Sequence, residues 1–209
     1  MAVRAQRPPG RLRLIQGGQA ATEPPSDEQL ISAVERGDRA VGEHLHDRLI
    51  RSVDATLHRV LGRRDREHDE LVQAAFERIV VTLARSRFTK ACSLASWASA
   101  VTCSVALDAL RSRRTERREP DPRPAASREG PRGADVERMV AVDREFQRLR
   151  TELVRMKSER AEALLLHDML GHELSEMAVL LGVSVSTAQS RLARGRQELQ
   201  ERLAEEGGA

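Results

Sequence analysis

The sequence predicts an all-α protein built as two small helical domains joined by a flexible linker. Three observations carry that reading. Aromatic residues make up 2% of the 209, with three Phe, one Trp and no Tyr, so the side chains that favour sheets are scarce. Apolar residues recur instead at three- and four-residue steps, the spacing that lays one stripe along a helix. One stretch, RSRRTERREPDPRPAASREGPRGAD from Arg111 to Asp135, breaks the period and holds too few apolar groups to order itself.

Residues 1–25 (MAVRAQRPPGRLRLIQGGQAATEPP) have no sustained period and read as a disordered tail. Ser26 and Gln29 have the spacing of a capping box, Leu30, Ile31 and Val34 share a face, and Gly37 closes a first helix over about 27–36. Asp38 is placed to cap the next, where Val41, Leu45, Leu49, Val53, Leu57, Val60 and Leu61 form one stripe. Leu71, Val72, Ala75, Phe76, Ile79, Val80 and Leu83 give another over 67–85, and Leu94, Trp97, Ala98, Val101, Val105 and Leu110 a further one. Residues 26–111 are thus expected to form one helical bundle.

Beyond a linker at 112–135, a second domain is expected over 136–204. Val136, Met139, Phe146, Leu149, Leu153 and Met156 line one helix, and Ser158 is the expected N-cap of the next, through Leu164, Leu165 and Met169. The stretch HELSEMAVLLGVSVSTAQSRLARGRQELQERL then reads as a short helix ending at Leu181, a Gly182-Val183-Ser184 turn and a new helix capped by Ser184. That is helix-turn-helix grammar. Val185, Ala188 and Leu192 are expected to face inward, leaving Ser186, Thr187, Gln189, Ser190, Arg191 and Arg194 outward, a set suited to a DNA groove.

Charge is polarised along the chain. Residues 27–75 carry 11 acidic and 8 basic groups, whereas 76–118 carry 3 and 9. In the second domain 158–182 holds five acids and one Arg, and 183–197 holds three Arg and no acid. Such polarity fits a molecule with one surface on DNA and another on a basic protein. Cys92 and Cys103 suit neither a disulfide framework nor a zinc site, and no apolar run approaches the ~20 residues that span a bilayer, so a reduced cytoplasm is expected. The six His form no ligand set, and glycine-rich phosphate loops, nucleophile elbows and paired carboxylates are missing from the sequence. Neither catalysis nor a cofactor or metal is expected.

The chain resembles the extracytoplasmic-function sigma factors, the two-domain specificity subunits of bacterial RNA polymerase, over 28–204. DELVQAAFERI (Asp69 to Ile79) is similar to the family's polymerase-binding helix, and SLASWASAVTCSVALDALRSRR (Ser93 to Arg114) to its promoter-melting segment, with Trp97, Asp108, Leu110 and Arg111 on matching positions. LISAVERGDRAVGEHLHDRLI looks like the first core helices, and GHELSEMAVLLGVSVSTAQSRLARGRQEL like the domain that reads the upstream promoter element. The resemblance implies a sigma region 2 bundle followed by a sigma region 4 helix-turn-helix.

It further implies that Asp69, Glu70, Gln73 and Glu77 bind core RNA polymerase, at a clamp in its largest subunit, while Leu71, Val72 and Phe76 belong to the core. Phe88, Lys90, Trp97, Arg111, Arg113 and Arg114 fall to melted promoter DNA, with Phe88 to Ser93 as the loop that holds an unstacked base. Trp97 is weighted toward packing. A regulatory anti-sigma factor is an expected partner. The chain departs from the family at Ala100, Cys103 and Ser104, where polar and basic groups are usual, and at Ala188 and Gln189, where Val and Lys are. Two other functions fit parts of the sequence: a stand-alone helix-turn-helix regulator dimerised through 136–156, and a pure protein-interaction module.

Overall fold

The computed structural model describes residues 24–62, 67–86, 88–116 and 134–207. The expected tail, up to residue 23, and linker residues 117–133 lie outside the described residues. Among the described residues the regular structure is helical, with no strand.

The capping box is formed: Gln29 N donates to Ser26 Oγ (3.3 Å) and Ser26 N to Gln29 Oε1 (2.8 Å), opening α1 at Asp27–Glu35. Asp38 also caps, but what it opens is a tight 3-10 turn, Arg39–Val41, ahead of α2 at Gly42–Leu61. Gly62, at φ +75°, ends α2 in the left-handed region that an L side chain resists. Helix α3 spans His68–Ala84 and α4 spans Leu94–Glu116, about five residues past Arg111, the expected end of the bundle.

The α2 stripe fills the first lobe's core, with Leu49, Val53, Leu57 and Val60 fully buried beside Ile79 of α3 and Ala98 and Leu107 of α4. Where α2 meets α4 the side chains are small. Ser52 Oγ lies 2.7 Å from Ser99 Oγ and donates to the Ala95 carbonyl at 3.2 Å, which brings the backbones close. His68, buried at the start of α3, meets Asp54 of α2 at 2.8 Å.

In the second lobe α5 covers Ala134–Arg155 and α6 Ser158–Leu164. The cap expected of Ser158 is not made: Lys157 holds the N-cap position with extended backbone, and Ser158 is already the first helical residue. The helix expected to continue through Met169 widens into a π turn at Leu165–Met169, closed by Leu170 N on Leu165 O at 2.9 Å. Ala163, Leu164, Leu165 and Leu166 are consecutive and all buried. One regular stripe cannot bury four successive residues; here Leu165 lies beside α2 and Leu166 beside α4.

Helices α7 (Leu174–Leu180) and α8 (Val185–Gly207) complete the lobe, joined through Gly182 at φ +65° and the Ser184 cap, whose Oγ accepts from Thr187 N at 3.2 Å. Two apolar positions differ from expectation. Val185 is exposed because the cap sets it at the outer first turn, while Ala188 and Leu192 are buried as expected. Phe146 is 46% exposed, its ring 5.7 Å from the Arg150 guanidinium carbon. The lobes are packed together: α5, α6 and the π turn lie against α2 and α4.

Glu198 of α8 reports on acid stability. Burial pushes its carboxyl up, but hydrogen bonds from Arg160 (2.5 Å) and Arg202 (2.9 Å) outweigh that and hold it below the ordinary value of 4.5. A depressed carboxyl adds stability that is fully present above its ordinary value and lost as pH falls through the folded one. The thermal midpoint followed by circular dichroism should therefore drop between about pH 5 and pH 3, and Glu198→Gln should flatten that drop.

Candidate functional site

Three surfaces hold the residues singled out above. On α3, Asp69, Glu70, Gln73 and Glu77 are all exposed, while Ala75, Ile79 and Leu83 on the opposite face are buried. Gln73 Nε2 donates to Glu77 Oε1 at 2.9 Å, and neither Asp69 nor Glu70 has an ion-pair partner among the described residues. Leu71, Val72 and Phe76 pack against the core, Phe76 stacking on His46 with centroids 4.8 Å apart. Val80, placed in the stripe by sequence, is 41% exposed, and Val81 48%. Ile79-Val80-Val81 is too long an apolar run for one helical face, and that excess was the available signal. The α3 surface is therefore acidic at its start and apolar toward its end.

The loop before α4 is anchored at both ends. Phe88 is buried, its ring 5.1 Å from Trp97, so it fixes the loop and does not present itself to solvent. Ser93 Oγ accepts from Ser96 N at 3.0 Å at the start of α4. Between these anchors Thr89, Lys90 and Ala91 are exposed, with Lys90 at φ +56°, a conformation that costs a non-glycine residue on the order of 1 kcal/mol.

The basic end of α4 is engaged within the chain. Arg113 Nε and Nη2 both reach Glu67 Oε2, at 2.9 and 2.7 Å. Arg111 Nη2 donates to the Met156 carbonyl at 3.5 Å and lies 3.9 Å from Asp108, while Arg114 lines a small cleft with Val154 of α5. Asp108 also accepts from Arg78 at 3.1 Å, tying α4 to α3. Of the three arginines expected at phosphates, Arg111 and Arg113 thus have partners within the chain, and those at Met156 and Glu67, just after α5 and just before α3, are too far along the sequence for a local pattern to reveal.

On α8, Ser186, Thr187, Gln189, Ser190 and Arg194 are exposed as expected. Arg191 is only 25% exposed: it lies 3.9 Å from Glu159 of α6, in its own lobe, and lines a cavity together with Trp97 and Ser104 of α4. Arg196, the third arginine of that basic stretch, makes two hydrogen bonds to Asp168.

Between the lobes lies a cavity of about 220 Å³ lined by Trp97, Cys103 and Ser104 of α4 and by Glu162, Leu180 and Arg191 of the second lobe. Burial pushes the Glu162 carboxyl up, with Arg111 pulling it down and Asp108 pushing up. Burial also drives the Cys103 thiol up to about 12, which keeps it protonated and unreactive. Glu176 is held below the ordinary carboxyl value, first by a hydrogen bond from Ser96 across the seam and then by His172, 3.0 Å away. No helix among the described residues is long and apolar enough to cross a membrane.

Residues 45–116 match the Sigma-70 region 2 family and 146–199 match Sigma-70, region 4. The chain is 30% identical over 179 residues to the ECF RNA polymerase sigma factor SigM of Mycobacterium tuberculosis, 83% of each chain, and 29% identical over 137 residues to the probable RNA polymerase sigma-C factor of Mycobacterium bovis, 63% of this chain and 67% of that one. Among solved structures it is similar to CnrH in complex with the cytosolic domain of CnrY, with a TM-score of 0.48 at 19% identity over 84% of this chain and 95% of that one. The helical bundle and the helix-turn-helix, matched in order by both sigma regions, place the chain in the sigma-70 family as an extracytoplasmic-function RNA polymerase sigma factor.

Proposed function

We propose the following division of labour for this sigma factor. The α3 face of Asp69, Glu70, Gln73 and Glu77, extended by Val80 and Val81, binds a basic element of the core polymerase clamp. The Phe88 to Ser93 loop, with Lys90 exposed and Trp97 beneath it, takes an unstacked base, and Arg111, Arg113 and Arg114 lie along the phosphates. The α8 face of Ser186, Thr187, Gln189, Ser190, Arg191 and Arg194 reads the upstream element. The work is done in the cytoplasm, bond formation belongs to the polymerase, and an anti-sigma factor is the regulatory partner.

The observation that carries the reading is the sidedness of α3, whose apolar face is spent on the core while its carboxylates have no ion-pair partner among the described residues. Exposed ion pairs contribute little by themselves, so an acidic face gains by meeting a complementary partner. The regulator alternative is weakened by α5: Leu153 and Met156, which a dimer through that helix would share, are buried within this chain.

Transcription with purified core on a library of randomised promoters tests the reading. Initiation should require two separated elements, and unspecific initiation despite tight core binding would sink it. On the selected promoter, Arg194→Ala should weaken binding across sequences and lower the salt slope by about one. Gln189→Ala should relax preference at one base pair, by ~1–3 kcal/mol of discrimination.

A further inference from the structure

We propose that the cleft bounded by the end of α2, by α5 and by the π turn binds a single-chain amphipathic carboxylate, a long-chain fatty acid, whose head is held by Arg59. The site goes beyond the polymerase and DNA surfaces described above and uses none of their residues.

The cleft has a volume of about 980 Å³, at the upper end of the range for small-molecule sites. Its floor is apolar: Leu153, Leu164 and Leu165 are buried, with Met169 and Leu199 beside them. At its rim Val142 and Phe146 of α5 are 50% and 46% exposed, large apolar side chains left half in water. Gly62 lets a charge into the wall. A Cβ there would collide with the Arg150 guanidinium, so only glycine leaves it room.

The charge along the wall favours an anion. Arg150 is 6% exposed, donates Nε to the Val60 carbonyl at 2.8 Å and has its guanidinium carbon 5.7 Å from the centre of the Phe146 ring. A positive charge is thus fixed among apolar groups. His58 and Arg59, in the last turn of α2, are both exposed at the rim, and Arg59 has no ion-pair partner among the described residues. The acid that lines the cleft, Asp168, accepts two hydrogen bonds from Arg196 and is offset by it. An anionic head beside Arg59 therefore meets attraction strengthened by the low-dielectric wall.

The wall also selects what carries that head. A peptide would bring amide N–H and C=O groups that need partners, and a surface of leucine, valine, phenylalanine and methionine offers none. A hydrocarbon chain needs no such partner and takes Val142 and Phe146 out of water. One exposed guanidinium matches a head of one negative charge, and its planar fork matches a carboxylate.

Displacement of the fluorescent fatty acid cis-parinarate from the full-length protein, below the concentration at which the ligands form micelles, tests the site. Oleate should displace it saturably. Oleyl alcohol, with a similar chain and an uncharged head, should bind about tenfold more weakly, the scale of one charge-assisted hydrogen bond. Arg59→Ala should lose that same factor of about ten for oleate and nothing for the alcohol, which erases the difference between the two. Phe146→Ala should weaken both ligands alike, several-fold. Both side chains are exposed, so helix content by circular dichroism should be unchanged in either variant. Absence of saturable displacement would overturn the site. Equal affinity of the parent for acid and alcohol would overturn the carboxylate, and parent-like binding by both folded variants would overturn the location. Light scattering adds a last outcome: a dimer that Phe146→Ala dissociates and oleate leaves intact would give the cleft to a second copy of the chain and overturn the fatty-acid assignment.

Discussion

Glu70→Arg combined with Glu77→Arg is expected to lower affinity for core polymerase by about 100-fold or more, the scale on which like charges brought together at an interface act. Promoter-specific transcription should fall to background with it. The physical basis is the sidedness of α3. Its buried face, Ala75, Ile79 and Leu83, holds the bundle together and is untouched by the change, whereas Glu70 and Glu77 project into solvent. Surface substitutions away from the core typically shift stability by no more than ~0.5 kcal/mol, so the variant should melt close to the parent. Glu70→Gln, which removes charge without reversing it, should lose less. Fluorescence anisotropy with labelled protein and purified core reads the affinity; unchanged binding in a folded double variant would move the polymerase-facing surface off α3.

The sequence made this surface legible because a helix half in water writes its burial into its periodicity. The same holds for the caps at Ser26 and Ser184, where a short polar side chain, a fixed spacing and an apolar run coincide. Other features depend on partners far along the chain. Arg150 looks like one more surface arginine on α5 until α2 is set beside it, and the paired state of Arg113 depends on Glu67, 46 residues away. The resemblance assigns Phe88 to DNA, and an isolated aromatic in a loop has no period that reveals burial; the packing of Phe88 depends on Trp97, one helical turn into α4. Leu164, Leu165 and Met169 read as one continuing helix, yet the backbone widens to a π turn at Leu165–Met169, where Leu165 lies beside α2 and Leu166 beside α4. Local grammar thus fixes where helices begin and which way they face, while the contacts between lobes stay hidden in pairs that no window of sequence contains.

A second large effect is expected inside the second lobe, and its sign depends on which partner is removed. Glu152 of α5 is 1% exposed and is held by Arg155 Nη1 at 2.5 Å and Arg202 Nη1 at 3.8 Å, whereas the two arginine side chains are 38% and 34% exposed. Removing both arginines, Arg155→Ala with Arg202→Ala, strands a carboxylate away from water and should cost about 3–5 kcal/mol, the range for an uncompensated buried charge. Removing the carboxylate, Glu152→Met, leaves arginines that can swing into solvent and fills the space with an apolar chain, so it should cost ~1 kcal/mol or less. Urea unfolding followed by circular dichroism measures both. Equal losses from the two variants would mean that the carboxylate is needed for its hydrogen bonds, and that burial of its charge is not what the arginines offset.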